Sequence, residues 1–504
     1  MNYPAAALRK NVYLLIGAVG VAVMVAKIVG AENVFEPSRY KPATEANFGF
    51  DREGKPERGW PATRPEPSMT FSSNDRSRWA TIKALVDNGT YEIGRRSNFQ
   101  AKTPPFDDIG IIFEGGKLTT LDVVMNPDTG VYYSSKPPLL STMLAGEYWL
   151  LNKSLNWNID RDRWPVMATI LITVNVLPFA LFLFLLSKLI ETHGTTDFGK
   201  LFAFTLAGLG TFLTTFSMTL NNHSPAAYCV LFAAYPILMG RTSTSAFFQA
   251  GFFAALAAAF ELPALAFTAA ILLAVLWLNP KRGLLFAAIG VFIVNAAWFA
   301  CNYAALGKFM PAYGDFGGPW YDYPGSHWKK WELVKAGQFV PGIDFNQERT
   351  PIYAFHLLFG HHGWFSLTPA FLATGVGLVM LTMRIRLKSP PVATGGMMFP
   401  LFGAMTLAIS ITVFAFYLTR THSYNYGGNT SGPRWLFWLI PLWILGGLPA
   451  FDALGRTRLR RMLAATLLGF SVLSAFYPAW NPWRNPWILQ ALERLEIVNY
   501  DRKP

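Results

Sequence analysis

Long apolar runs separated by short polar joints dominate this chain. A run of about 20 apolar residues is the length an α-helix needs to cross a bilayer. The first is "NVYLLIGAVGVAVMVAKIVGA" at 11–31, preceded by Arg9 and Lys10. Its length predicts an uncleaved anchor rather than a cleaved signal peptide. A polar stretch rich in Pro, Asp, Asn and Arg follows, to about residue 163. Further apolar runs fall near 165–187, 201–219, 226–240, 246–260, 264–279, 284–303, 366–383, 396–418, 435–454 and 462–478. The pattern predicts an all-α, polytopic integral membrane protein of about eleven transmembrane helices. It reads as a single membrane domain over 1–504: a first transmembrane helix at 11–31, a first extracytoplasmic loop at 32–163, the remaining helices at 164–478 and an extracytoplasmic tail at 479–504.

Charge orients these spans. Counted alternately, the inside joints hold Lys188 to Lys200, Arg241, Lys281–Arg282, "RIRLK" (384–388) and "RTRLRR" (456–461). All are basic, as cytoplasmic loops are. The N-terminus is then cytoplasmic and the C-terminus extracytoplasmic, in the cytoplasmic (inner) membrane. The outer face receives 32–163, "NNHSP" (221–225), Glu261, 304–365, "THSYNYGGNTSGPR" (421–434) and the tail "YPAWNPWRNPW".

Composition agrees. Of 504 residues, 52% are hydrophobic and only 14% charged, against roughly 25% charged in soluble domains. The net charge of +13 sits largely in short clusters between apolar runs. No basic stripe interleaved with aromatics is present, which excludes a nucleic-acid partner. The two cysteines, Cys229 and Cys301, lie in or beside apolar runs and form neither a metal-ligand spacing nor a disulfide framework.

Within the first outer loop, "SSNDRSRWATIKALVDNGTY" predicts a short amphipathic juxtamembrane helix. Trp79, Ile82, Leu85 and Val86 share one face, and Gly89 ends it. Asp75 stands at its start, where it either caps the helix or offers a carboxylate that takes a proton from a hydroxyl. In "YYSSKPPLLS", Pro137 and Pro138 suit a first helical turn, and Leu139, Leu140, Met143 and Leu144 make an apolar face. Lys136 adds a full charge to the partial positive charge of that helix start, which suits a phosphate; alternatively it snorkels to headgroups. A carboxylate and a phosphate site at a membrane surface are what transfer from a polyprenyl-phosphate-linked sugar requires.

The order of one anchor, a long outer loop with an acid leading "RSRWATIKALVDNGTY", then "YYSSKPPLLS", resembles the GT-C superfamily of polyprenyl-phosphate-sugar-dependent glycosyltransferases. It is most similar to the protein-mannosyltransferase and aminoarabinose-transferase-like branch, among its bacterial members. That branch carries an Asp-Glu pair two residues before Arg-Tyr, then Lys-Pro-Pro-Leu. Here "NDRSRW" puts Asp75 at the first acid and Arg76 where Glu is usual. The change weakens metal binding through paired carboxylates, whereas "KPPLL" matches well. The resemblance implies that Asp75 is the catalytic base and that Lys136 binds the donor phosphate. "LNNHSPAA", "GHHGWFSLTP" and "YNYGGNTSGPRW" also resemble stretches of bacterial members, so the similarity covers nearly the whole chain but is dense in motifs only on the outer side.

Other outer residues are candidate substrate positions or second acids. Arg78 follows Asp75 on the predicted helix. Asn222 and His223 sit in a turn that barely leaves the membrane, and Glu261 ends a span, where an acid needs water or a partner. Arg434 breaks the basic-inside trend and can bind phosphate bidentately, or anchor to headgroups. Asn429 lies in the "GGN" stretch before it. His361 and His362, with His356, form a polar rim, with no carboxylate in view to complete a metal set. Asp107 and Asp108 read as solvated loop.

The expected activity is transfer of a sugar from a polyprenyl-phosphate donor to a glycan, lipid or protein acceptor on the extracytoplasmic face of the bilayer. A divalent cation, Mg or Mn, is an optional aid with no visible ligand set. The alternatives are a transporter or flippase of lipid-linked sugars and a non-catalytic binder of them. The gathering of polar groups on one face, without an internal repeat, favours an enzyme over a transporter.

Overall fold

The computed structural model describes residues 5–31, 40–41, 58–59, 69–114, 118–345, 348–385, 398–419, 425–479 and 481–501. The basic residues at 386–388 and the start of the "THSY" turn at 421–424 lie outside them. The described chain is mostly helical. Its first helix is α1 (Ala5–Gly30). Among the described residues, five helices are long and apolar enough to cross a membrane: α1, Arg163–His193, Arg282–Leu306, Met398–Leu418 and Arg458–Phe476. A sixth forms if the pair Arg434–Gly446 and Leu448–Leu454, bent by 53°, acts as one span. The other expected spans coincide with shorter apolar helices, among them His223–Leu238, Thr244–Phe260, Leu265–Leu278 and Ala370–Met383. Each expected run is therefore helical or largely helical, though only some reach crossing length.

Acids tie several of the joints expected to be basic. Arg9, near the start of α1, makes a bidentate pair with Glu191 at 2.6 Å to each oxygen and also meets Asp197. Asp452 accepts from the backbone and hydroxyls of Thr195 and Thr196 at 2.6 to 2.9 Å. The joint at 191–197 is thus fastened to both the N-terminal helix and the segment before "RTRLRR", which basic residues alone could not do.

The helices pack closely where glycines allow it. Arg282–Leu306 lies along Thr244–Phe260, with Gly251 facing the backbone of Ala287 and Gly290 that of Phe252. A Cβ on Gly290 would stand 2.6 Å from the Phe252 nitrogen. Small residues at such crossings let apolar helices approach. Gly290→Leu should therefore force the pair apart. We expect it to cost about 1–3 kcal/mol, read as a lowered unfolding midpoint in detergent. An unchanged midpoint would show that the two helices can part without loss.

The first outer loop is less purely helical than its sequence implies. α2 (Ser73–Lys83) and one π turn to Asn88 end at Gly89, whose φ of +67° closes the helix as expected. Trp79 and Ile82 are buried beside Asp75 and Arg78, but so are Ser77, Ala80 and Thr81 on the opposite side of the helix. The helix is thus enclosed by protein instead of resting on a membrane surface. Two residues at Tyr40–Lys41 (β1) pair in parallel with Arg58–Gly59 (β2). Beyond α2, the strands β3 (Gly94–Arg96), β4 (Asp108–Ile109), β5 (Val123–Met125) and β6 (Val131–Ser134) form an antiparallel sheet in the order β4-β3-β6-β5. This sheet corrects the all-α expectation for the loop. Asp108, expected to be solvated, pairs with Arg96 at 2.7 and 2.9 Å across it.

The β5–β6 hairpin turns through "NPDTG", with Gly130 at φ +69°, a conformation glycine adopts without steric cost. Its open end brings Ser135 N to the Asp122 carbonyl at 3.1 Å. α3 (Pro138–Leu155) then starts with Pro138 at its first turn, as the two prolines predict. Leu139, Leu140 and Leu144 are buried, while Met143 is exposed.

Candidate functional site

Ser72 caps α2: its hydroxyl accepts from Asn74 N and Asp75 N at 3.2 and 3.4 Å. Asp75 completes the capping box by accepting from Ser72 N at 2.9 Å. Its second oxygen accepts from Phe71 N at 3.0 Å and from the Thr219 hydroxyl at 2.8 Å. Capping and a site role can therefore coexist in one residue. Burial pushes the Asp75 carboxyl up to about 6, against the pull of Thr219, the backbone donors and Arg76.

From Asp75 a chain of polar contacts runs through the molecule. Trp483 donates its indole N–H to the Thr219 hydroxyl at 2.9 Å, and its ring lies 4.7 Å from the Arg434 guanidinium. Arg434 donates twice to the Gly427 carbonyl, at 3.0 and 2.7 Å, and once to His223 Nε2 at 3.0 Å. Since an arginine can only donate, Nε2 must accept, which puts the His223 proton on Nδ1, facing Glu261. Asn222 donates to Glu261 and to the Phe260 carbonyl at 2.8 Å, and accepts from Arg78.

Lys136 joins the same region through a 2.8 Å ion pair with Asp122, both side chains largely excluded from solvent. The hairpin geometry makes this pair, and Ser77 on α2 donates to the Asp122 carbonyl at 2.6 Å. Burial pushes the Lys136 ammonium down to about 8; Arg78 and Arg434 reinforce that, and Asp122 opposes it. Asp344 stands against Gly428, where a Cβ would collide with its carboxylate. Burial and Asp122 raise Asp344 to about 6, offset in part by Arg434, Lys136 and Lys330.

Most of the expected residues thus gather in one buried region: Asp75, Arg78, Lys136, Asn222, His223, Glu261 and Arg434. Sequence patterns do not reveal Asp122, Thr219, Asp344 or Trp483, which take part in it. A divalent cation of the Mg or Mn kind fits this region poorly. The buried cations Arg78, Lys136 and Arg434 already serve its acids. The Asp75 oxygens are taken by Phe71 N, Ser72 N and the Thr219 hydroxyl.

His361 and His362 belong to a second cluster, and Asn429 is exposed. The His361 and His362 Nδ1 atoms are 2.6 Å apart, and His361 Nε2 is 2.6 Å from the Tyr500 hydroxyl. Tyr500 donates to Glu348 at 2.8 Å, and Tyr426 donates to the other Glu348 oxygen. Burial pushes His362 down to about 3 and also lowers His361. This is a closed network with a carboxylate, in place of the open polar rim expected.

No family model matches the chain, and no curated protein matches it. Among solved structures it is similar to the apo Archaeoglobus fulgidus oligosaccharyltransferase, at TM-score 0.40 and 13% identity over 93% of this chain and 55% of that one. It is also similar to the archaeal oligosaccharyltransferase AglB from Archaeoglobus fulgidus in complex with an inhibitory peptide and a dolichol-phosphate, at TM-score 0.41 and 12% identity with the same coverage. The chain spans about 55% of the length of these structures. The likeness is loose, and the chemistry of the site rests on its own residues.

Proposed function

We propose that the protein is a membrane glycosyltransferase of the GT-C kind, moving a sugar from a polyprenyl-phosphate donor to a hydroxyl of a glycan, lipid or protein acceptor on the extracytoplasmic face of the cytoplasmic membrane. The observation that carries this reading is the buried trio Arg78, Lys136 and Arg434 in the same polar region as Asp75. Lys136 already pairs with Asp122, and a lipid phosphate entering from the bilayer would share that ammonium and meet Arg78 and Arg434 beside it, a set of preorganised donors suited to a phosphate.

In the proposed reaction the acceptor attacks the anomeric carbon as its bond to the phosphate oxygen breaks. The acceptor proton passes through the Thr219 hydroxyl to Asp75. Lys136 and Arg434 stabilise the charge that grows on the departing phosphate, an interaction strongest in the transition state. His223, held by Glu261, positions Arg434. Asp75's place in a capping box, with both its oxygens already accepting hydrogen bonds, favours one second reading, a non-catalytic binder of the same lipid.

The two shifted groups set a pH dependence. Asp75 must be ionised, so activity is lost as pH falls through about 6. Lys136 must be protonated, so activity is lost as pH rises through about 8. We expect a bell-shaped kcat/KM profile with its maximum between these values. An acid limb near the ordinary aspartate value of about 4 would remove Asp75 from the role of base.

A further inference from the structure

We propose that Glu348, His356 and His361 bind a transition-metal ion, zinc foremost, at a site separate from the Asp75 region. One donor atom from each residue lies within 4.8 Å of the others. A tetrahedral zinc ion with bonds of about 2.0–2.1 Å needs donors roughly 3.3 Å apart, a contraction within reach of side-chain rotation. Two imidazoles and a carboxylate make a nitrogen-rich set that suits zinc or cobalt and not magnesium. His356 Nδ1 is buried with no hydrogen-bond partner among the described residues, and the His356 and His361 rings stack with centroids 4.0 Å apart.

The surroundings are those of a supported metal site. Tyr426 and Tyr500 hold the two oxygens of Glu348, His362 meets the Nδ1 edge of His361, and an ion would take the place of the Tyr500 contact at His361 Nε2. Such partners fix the orientation of ligands. Three protein ligands leave a fourth position for water. The ion would brace Glu348, whose oxygens link Tyr500 of the C-terminal segment to Tyr426, and the neighbour of Tyr426, Gly427, holds Arg434. The site stands or falls independently of the proposed reaction.

The test is cobalt titration of full-length, detergent-purified protein stripped with a chelator, followed by the visible absorption of tetrahedral Co2+ and by metal analysis. We expect one Co2+ per chain, displaced by Zn2+, with a raised unfolding midpoint in the loaded protein. His356→Asn, at a half-buried position, and Glu348→Gln should each weaken binding roughly tenfold or more. Failure of stripped, folded wild-type protein to take up Co2+ overturns the proposal, whatever the variants do. Tetrahedral bands that persist unchanged in folded His356→Asn overturn it as well.

Discussion

Asp75→Asn is expected to lower turnover by about 10²–10⁴-fold, the usual contribution of a positioned general base, while donor binding persists. The structure separates this effect from misfolding. An asparagine oxygen can still accept from Ser72 N and its backbone N can still donate to the Ser72 hydroxyl, so the capping box survives. The carboxyl's folded pKa is about 6, above its unfolded value of about 4. Its contribution to stability is therefore full below the unfolded value and lost as pH rises through about 6. At pH 8 a neutral amide escapes the cost of a buried carboxylate but no longer accepts from Phe71 N and the Thr219 hydroxyl, a loss of about 1–3 kcal/mol, so the variant should remain folded with a midpoint lowered by no more than that. Donor binding measured beside turnover completes the test; if the variant turns over like wild type, Asp75 is a cap and nothing more.

Lys136→Ala is expected to harm both stability and activity, and a double variant separates the two. Removing the ammonium leaves Asp122 buried without this ion-pair partner, which costs about 3–5 kcal/mol. Lys136→Met with Asp122→Asn removes both charges and should recover most of that stability. It should not recover activity, because the donor phosphate has lost a cation. Loss of one preorganised charge at a reacting centre typically costs about 10²–10³-fold in kcat. Recovery of turnover in the folded double variant would assign Lys136 to the structure alone. Unfolding midpoints and turnover on the same preparations distinguish these results.

Much of this site was legible in the sequence because its residues announce themselves locally. "KPPLL" marks a helix start, and an acid in the first turn after Ser72 marks another. Arg434 and Glu261 stand out as charges at the edges of apolar runs. The residues that escaped notice depend on tertiary contacts. Asp122 reaches Lys136 only because the "NPDTG" turn folds two very short strands back on each other, too short for alternation to reveal. Thr219 and Trp483 are ordinary residues for a membrane edge until Asp75 and Arg434 meet them. Glu348 precedes the paired histidines by a helix, Thr350–Leu358, so adjacency in sequence gave no hint of a complete metal set. The amphipathic reading of α2 failed for a related reason: polar positions that would face water on a membrane surface face buried partners instead.

The most direct measurement of the central claim is release of polyprenyl phosphate by the purified protein from a panel of polyprenyl-phosphate sugars. The account predicts turnover of at least one donor by wild type and its loss in Asp75→Asn. Donor binding without turnover of any sugar, by protein shown to be folded, would contradict it and favour the non-catalytic binder.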